Sequence, residues 1–208
     1  MRWKPSSSFR ALEGFLGLAA EVMKTSFVLV LGGARSGKSS YALKLAEAWW
    51  THPLYLATAE TLDEEMEQRV ARHRQARGAR WRNVEAPLEV SPVIAGSEPE
   101  GDGILLDCVT LWLSNVLLKE GERACERRRE ELLAAVGRRQ RGLICVANEV
   151  GMGIVPDNAL ARSFRDQAGW LNQALAQAAD AVVFVAAGLP FSLKGTLPEE
   201  RGHGNGSR

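Results

Sequence analysis

A single run of residues has the composition of a loop that binds phosphate groups. Residues 32–39 read Gly-Gly-Ala-Arg-Ser-Gly-Lys-Ser and fit the pattern G-x-x-x-x-G-K-[ST]. In such a loop the glycines let backbone N–H groups turn towards phosphate oxygens, and the helix that follows adds a partial positive charge. Lys38 would reach the β- and γ-phosphates and Ser39 would ligate Mg²⁺. The hydrophobic patterns of residues 27–31 and 39–50 predict the required strand and helix, which disfavours a chance Gly-rich turn.

Two carboxylates follow buried strands in the predicted order of elements. Asp107 ends the predicted strand 104–107, and Glu149 comes shortly after the predicted strand 143–147. Ligands of open α/β sheets bind beyond the carboxyl ends of strands, so both side chains should lie near the same crevice. Asp107 would hold a metal ion or its water shell, with capping of the following helix as the alternative. For Glu149 a structural role, bonding loop amides, is equally favoured.

Weaker signals come from one histidine and two arginines. The helix predicted after the second strand carries His73 on the same face as Leu62 and Met66. From the residues alone, a structural histidine is favoured over a catalytic one. Arg162 and Arg165 are three positions apart on a predicted helix and could contact phosphates. A surface position is the better interpretation for at least one of them.

Strands and helices alternate along the whole pattern, which predicts an α/β fold with a mainly parallel sheet flanked by helices. The predicted strands cover residues 27–31, 54–57, 81–84, 104–107, 143–147 and 181–186, the last being the final strand. Helices are predicted over residues 39–50, 111–119, 122–139 and 159–178, and a further helix begins after residue 61. Residues 85–103 are predicted to form a loop or a short helix. The predicted domains are an extension outside the fold (1–24), one nucleotide-binding catalytic domain (25–195) and a disordered tail (196–208). We expect Met23 to be the functional start.

Composition narrows the function classes. The chain has 208 residues and a net charge of +1, which argues against nucleic-acid binding through bulk electrostatics. Its apolar stretches are too short to span a bilayer. Three cysteines without a CxxC pair offer neither a zinc ribbon nor a redox motif, and they fit a reducing cytoplasm.

Other sequence motifs indicate to which class of phosphate-loop proteins the chain belongs. The sequence has no Asn-Lys-x-Asp motif and no LSGGQ-type motif, so a switch GTPase and a transporter ATPase are disfavoured. A small kinase or a nucleotidyltransferase remains. The alternatives are a P-loop kinase of another small metabolite with His73 structural, and a nucleotide-regulated binding module without turnover. The module is disfavoured because no switch motif is visible.

Four further sequence motifs follow the phosphate loop along the chain. They are Tyr55-Leu-Ala-Thr58, Arg69-x-x-x-His73-x-x-x-Arg77, Leu105-Leu-Asp107-Cys108 and Asn148-Glu-Val-Gly-Met-Gly-Ile-Val-Pro156. Together they closely resemble the bifunctional adenosylcobinamide kinase / adenosylcobinamide-phosphate guanylyltransferase family, over about residues 26–195. The resemblance implies a RecA-like P-loop NTPase fold assembled as a homotrimer, with Mg²⁺ as cofactor and ATP and GTP as substrates. It also implies adenosylcobinamide and its phosphate as the acceptors.

The resemblance further implies two steps and assigns residues to them. Adenosylcobinamide is phosphorylated, and GMP then passes from GTP through a GMP-histidine intermediate, for which His73 is the matching position. Asp107 stands where the family can have Glu, and Ala59 where Ser is common. The implied nucleotide-binding residues are Gly32, Gly33, Ala34, Arg35, Ser36, Gly37, Lys38, Ser39, Ala57, Thr58, Ala59, Arg74, Gln75, Ala76, Arg77, Glu85 and Asp107.

Overall fold

Strands and helices alternate throughout the computed structural model, which describes residues 25–60, 78–96 and 101–196. The strands are β1 (Phe27–Gly32), β2 (Pro53–Ala57), β3 (Arg82–Glu85), β4 (Gly103–Asp107), β5 (Gly142–Asn148), β6 (Ala181–Ala186) and β7 (Leu189–Lys194). The helices are α1 (Lys38–Trp49), α2 (Val90–Ala95), α3 (Val109–Glu120), α4 (Glu122–Arg138) and α5 (Ala159–Ala178). No helix of these described residues is both long and apolar enough to cross a membrane.

The strands form one sheet in the order β3-β2-β4-β5-β1-β6-β7. Strands β1 to β6 pair in parallel, and β7 pairs antiparallel with β6. This confirms the predicted mainly parallel sheet. Because the strands are parallel, the carboxyl ends of β1, β2, β3, β4 and β5 meet at one edge of the sheet, where the sequence placed the polar residues.

Helices cover both faces of the sheet, and β1 is buried on both. Phe27, Leu29 and Leu31 pack in the cluster that includes residues of α3, α4 and α5. Val28 and Val30 point to the opposite face and pack in the cluster formed with α1. Burial on both faces explains why this strand is continuously apolar rather than alternating.

The prediction that residues 181–186 form the final strand is wrong, because β7 follows after a tight turn. Ala187 and Gly188 both have positive φ, 51° and 80°, and they reverse the chain. Pro190 lies within β7 and lacks an N–H, which an edge strand tolerates. Of the two alternatives given for residues 85–103, loop or short helix, the structure has a short helix, α2. The extension 1–24 with Met23, the helix predicted behind residue 61 and nearly all of the tail 196–208 lie outside the described residues.

Candidate functional site

The phosphate loop joins β1 to α1, in the strand–loop–helix context that the motif requires. Gly37, directly before the helix, has φ 95°, a conformation that side chains rarely adopt. A Cβ on Gly32 would lie 2.5 Å from both Ser36 Oγ and Val185 O, so only glycine fits there. The N–H of Gly188 donates to Ser36 O over 2.8 Å. The β6–β7 turn therefore holds the loop in place, while Ala34 and Arg35 are exposed at its tip.

Lys38 is the first residue of α1, and its side chain folds back over the loop. The residue is only 8% exposed, and Nζ donates to Gly33 O over 3.0 Å. Among the described residues, no side chain caps the N-terminus of α1. The partial positive charge of that helix end and the buried ammonium therefore act on the same small volume, which favours an anion such as a phosphate chain.

The structure brings Ser39 and Asp107 together, as the sequence predicted for a metal site. Ser39 Oγ lies 3.5 Å from Asp107 Oδ1, and the Tyr55 hydroxyl donates to Asp107 Oδ2 over 3.1 Å. The alternative role for Asp107, capping of α3, is wrong. The N-cap residue is Cys108, whose Sγ accepts a hydrogen bond from the Leu111 N–H over 3.4 Å.

A third oxygen at this edge belongs to Asn148, the last residue of β5. Its Oδ1 is buried and has no hydrogen-bond partner among the described residues. Its backbone is fixed on both sides: the N–H donates to Thr110 Oγ1 over 2.7 Å, and Asn172 Nδ2 donates to Asn148 O over 3.2 Å. Asn148 pairs in register with Gly32 at the start of the phosphate loop. The sequence analysis named Asn148 only as the first residue of the motif 148–156. A polar residue at the end of a buried strand could have identified it as a candidate site residue.

These oxygens suit a Mg²⁺ ion. Mg²⁺ prefers hard oxygen ligands, and it is usually held by one or two protein groups together with substrate phosphates and water. The hydroxyl of Ser39, the carboxylate of Asp107 and the orphaned Asn148 carbonyl oxygen supply that chemistry. The described ranges hold no cluster of three or more His, Cys, Asp or Glu that could bind a metal without a substrate.

Thr58 links the ends of β2 and β4. The residue is fully buried, and its Oγ1 accepts from the Cys108 N–H over 3.0 Å and donates to Cys108 O over 2.8 Å. Asn115 Nδ2 donates to Thr58 O over 2.9 Å and to Pro87 O over 3.1 Å. Asn115 thereby connects the ends of β2 and β3 to α3, a role that the sequence did not reveal. The Thr58 hydroxyl supports the site from behind rather than facing it.

The remaining residues implied at the end of β2 lie at the same edge. Ala57 pairs in register with Asp107 on one side and with Glu85 on the other. Ala59 follows directly and is half-buried, whereas Glu85 is exposed. The predicted nucleotide residues on β2, β3 and β4 are therefore neighbours. His73, Arg74, Gln75, Ala76 and Arg77 lie outside the described residues.

Glu149 and the two arginines of α5 have structural partners. Glu149 Oε1 accepts from the Gly151 N–H over 2.7 Å, so its carboxylate shapes its own loop. The Arg162 guanidinium donates to Pro156 O over 2.9 Å and to Asp157 O over 2.7 Å. Arg165 pairs with the adjacent Asp166 over 2.9 Å. These contacts favour the structural interpretation of Glu149, and they do not support a phosphate clamp on α5.

The three cysteines do not provide a nucleophile for this site. Cys108, Cys125 and Cys145 are all unpaired and buried. Burial, followed by the negative charge of Asp107, raises the pKa of the Cys108 thiol to about 11. Burial also raises the pKa of Cys145 and of Cys125. Thiols with raised pKa values stay protonated at neutral pH and are poor nucleophiles.

Comparison with known proteins decides which phosphate-loop enzyme this is. A family model described as cobinamide kinase / cobinamide phosphate guanyltransferase matches residues 28–193. The bifunctional adenosylcobalamin biosynthesis protein CobP of Pseudomonas aeruginosa is 44% identical over 167 residues, covering 80% of this chain and 96% of that protein. The chain belongs to the cobinamide kinase / cobinamide phosphate guanyltransferase family.

A second relative of the same kind supports this assignment. The bifunctional adenosylcobalamin biosynthesis protein CobU of Salmonella typhimurium is 41% identical over 181 residues, covering 80% of this chain and 99% of that protein. The family resemblance seen in the sequence is thereby confirmed, and the chain is a bifunctional kinase and guanylyltransferase. The kinase of an unrelated metabolite and the binding module without turnover are not favoured.

Proposed function

We propose that this cobinamide kinase / guanylyltransferase runs both reactions at the edge formed by the phosphate loop and Asp107, with His73 as the carrier of GMP. It phosphorylates adenosylcobinamide with ATP or GTP and then converts the phosphate to adenosylcobinamide-GDP. The observation that carries the proposal is the meeting of Ser39 with Asp107 beside the buried Lys38. Such a site positions and neutralises a triphosphate, which is what both reactions require.

In the kinase step the oxygen of the substrate hydroxyl attacks the γ-phosphorus, and its proton passes to solvent. The bond between the γ-phosphorus and the β–γ bridging oxygen breaks, and the nucleoside diphosphate leaves. Lys38 and the amides at the start of α1 stabilise the negative charge on the phosphate oxygens. The glycine positions of the loop let the backbone approach the phosphates closely. This transfer needs no covalent intermediate on the protein.

In the guanylyl step an imidazole nitrogen of His73 attacks the α-phosphorus of GTP. A P–N bond forms, the bond to the β-phosphate oxygen breaks, and pyrophosphate leaves. A phosphate oxygen of adenosylcobinamide phosphate then attacks the same phosphorus, the P–N bond breaks, and His73 is restored. A neutral imidazole is a competent nucleophile for such a transfer.

We assign Mg²⁺ to Ser39 and Asp107, with the Asn148 carbonyl oxygen at the same edge of the sheet as an acceptor for a metal-bound water. Bound there, the ion would offset charge on the β- and γ-phosphates. The protein residues on either side of the phosphate loop hold and orient the triphosphate.

We also propose that the enzyme is a homotrimer, as the family resemblance implies, and that it works in the reducing cytoplasm, which its three free cysteines fit. Leu189, Phe191 and Leu193 alternate along the edge strand β7 and therefore share one face of it. They are 63%, 52% and 62% exposed. A second copy of the chain that packs on this face of the edge strand would bury these apolar side chains. Light scattering should give the mass of a trimer, and Phe191→Asp should lower it.

Labelled nucleotides test the proposed chemistry. The protein is incubated with Mg²⁺ and GTP labelled at the α-phosphorus, denatured, and counted after removal of free nucleotide. Label that stays on the protein and is discharged by adenosylcobinamide phosphate supports the proposal. GTP labelled at the γ-phosphorus should leave no label. A kinase in which His73 is structural would retain neither.

A further inference from the structure

The loop between β5 and α5 is held at both ends, and its middle is exposed. At its start, the Glu149 N–H donates to Gly32 O over 3.1 Å, so the loop leaves the sheet beside the phosphate loop. At its end, Arg162 holds the carbonyl groups of Pro156 and Asp157. Between these anchors lies the sequence Gly-Met-Gly-Ile-Val over residues 151–155. We call residues 151–155 the β5–α5 loop.

Large apolar side chains of this loop face water. Met152 is 79% exposed, Ile154 98% and Val155 60%. Single exposed apolar residues are ordinary, but three within four positions on an anchored loop mark a contact surface. Packing against the described residues does not account for them, since Ile154 is almost entirely exposed.

The position of the loop limits what can cover it. The chain from Glu149 to Ile154 spans at most about 17 Å when fully extended, so Ile154 stays near the phosphate loop. The kinase reaction brings a hydroxyl at the end of a flexible aminopropanol arm to the γ-phosphate. The macrocycle that bears this arm must therefore lie outside the phosphate loop and within the arm's length of it.

We propose that Met152, Ile154 and Val155 form the surface on which the corrin macrocycle of the acceptor packs, an inference that rests on the proposed function. A corrinoid has broad apolar faces, rimmed by methyl groups and by amide arms. Apolar side chains on an exposed loop fit those faces, and the loop backbone offers hydrogen-bonding groups to the amides. The same surface serves both steps, because the macrocycle is unchanged between cobinamide and its phosphate.

The test is Ile154→Ser, with Ile154→Leu as the conservative variant and Leu118→Ser as the matched control. Leu118 is 68% exposed on α3, about 13 Å along the helix axis from its start beside Asp107. We expect Ile154→Ser to raise the KM for adenosylcobinamide about tenfold, as expected for losing one buried aliphatic contact. Ile154→Leu and Leu118→Ser should leave that KM within about twofold of the wild type on the same scale.

Three further measurements separate a corrinoid subsite from a nucleotide contact and from a contact between copies. The KM for ATP and the amount of GMP trapped on the protein without corrinoid should be unchanged in Ile154→Ser. An unchanged KM for adenosylcobinamide would overturn the proposal, and so would a parallel rise in the KM for ATP. A lower mass by light scattering in Ile154→Ser would assign the loop to contacts between copies instead. Failure of the proposed function itself would appear differently, as wild-type protein that neither traps GMP nor phosphorylates the corrinoid.

Discussion

Ser39 Oγ and Asp107 Oδ1 lie 3.5 Å apart, although 68 positions separate the two residues in the sequence. One is on the first turn of α1 and the other ends β4, two strands away from β1 in the sheet. The parallel sheet brings them together, because its carboxyl ends share one edge. The phosphate loop and the proposed metal site therefore form one unit, and a change in either should affect both reactions.

Lys38→Ala should reduce both activities by roughly 10²-fold or more, because a preorganised charge on the phosphates is lost. The structural cost should be small, since the hydrogen bond lost within the described residues is the one to Gly33 O. Lys44→Ala is the matched control, an exposed lysine on the same helix. Steady-state rates with saturating adenosylcobinamide check this. Wild-type turnover in Lys38→Ala would contradict the role of the phosphate loop.

Removal of Mg²⁺ with a chelator should abolish both activities, and Asp107→Asn should raise the Mg²⁺ concentration needed for half-maximal rate. The amide is a weaker ligand for a hard cation than the carboxylate. Asp102→Asn is the control at the opposite end of β4, where Asp102 accepts from the N–H groups of Thr51 and His52. A metal requirement that is the same in Asp107→Asn and in the wild type would remove Asp107 from the metal site.

Gly103→Ala should destabilise the fold by about 3 kcal/mol, the upper part of the range for overpacking. A Cβ at this position would lie 1.9 Å from Cε2 of Trp50, whose side chain is fully enclosed. Gly137→Ala is the matched control on α4, where a Cβ meets nothing within 4 Å. It should be neutral or stabilise by at most about 1 kcal/mol, since alanine favours the helix. Chemical denaturation measures both, and equal stabilities would show that Trp50 does not pack against Gly103.

Native protein should keep its activity after treatment with iodoacetamide at pH 8. The pKa of Cys108 is raised to about 11 by burial and by Asp107, so the fraction of reactive thiolate at that pH is small. A raised pKa also means that reactivity appears only as the pH rises well above 8. After denaturation all three cysteines should react. Rapid inactivation of the native enzyme would point to an accessible thiol at the site.

The sequence predicted those parts of the fold whose signals are local. The bounds of α5, Ala159–Ala178, agree with the predicted range because its apolar face has helical periodicity and Asn158 caps its start through Oδ1. Strand β7 was not predicted, although its apolar residues Leu189, Phe191 and Leu193 alternate along it. The strand order was not predictable, since it depends on pairings that leave no periodic pattern.

The residues of the site also fall into two groups, those that local sequence patterns predict and those that they do not. Lys38, Ser39 and Asp107 were predictable because each has a fixed place in a strand–loop–helix motif or at a strand end. The pairing of Thr58 with Cys108 and the bridge made by Asn115 were not, since the partner atoms are backbone atoms, which residue types do not reveal. The position of Asn148 beside the phosphate loop was not predictable either, because it depends on the order of the strands in the sheet.

The central claim is that His73 carries GMP, and mass spectrometry of the intact protein after incubation with GTP and Mg²⁺ tests it most directly. We predict a GMP adduct that is acid-labile and alkali-stable, as a phosphoramidate is, and that maps to the peptide containing His73. His73→Ala should lose the adduct and all guanylylation while retaining kinase activity, and His52→Ala, a change in the exposed turn before β2, should keep both. An adduct that persists in His73→Ala, or one that maps to Lys38, would contradict the proposed role of His73.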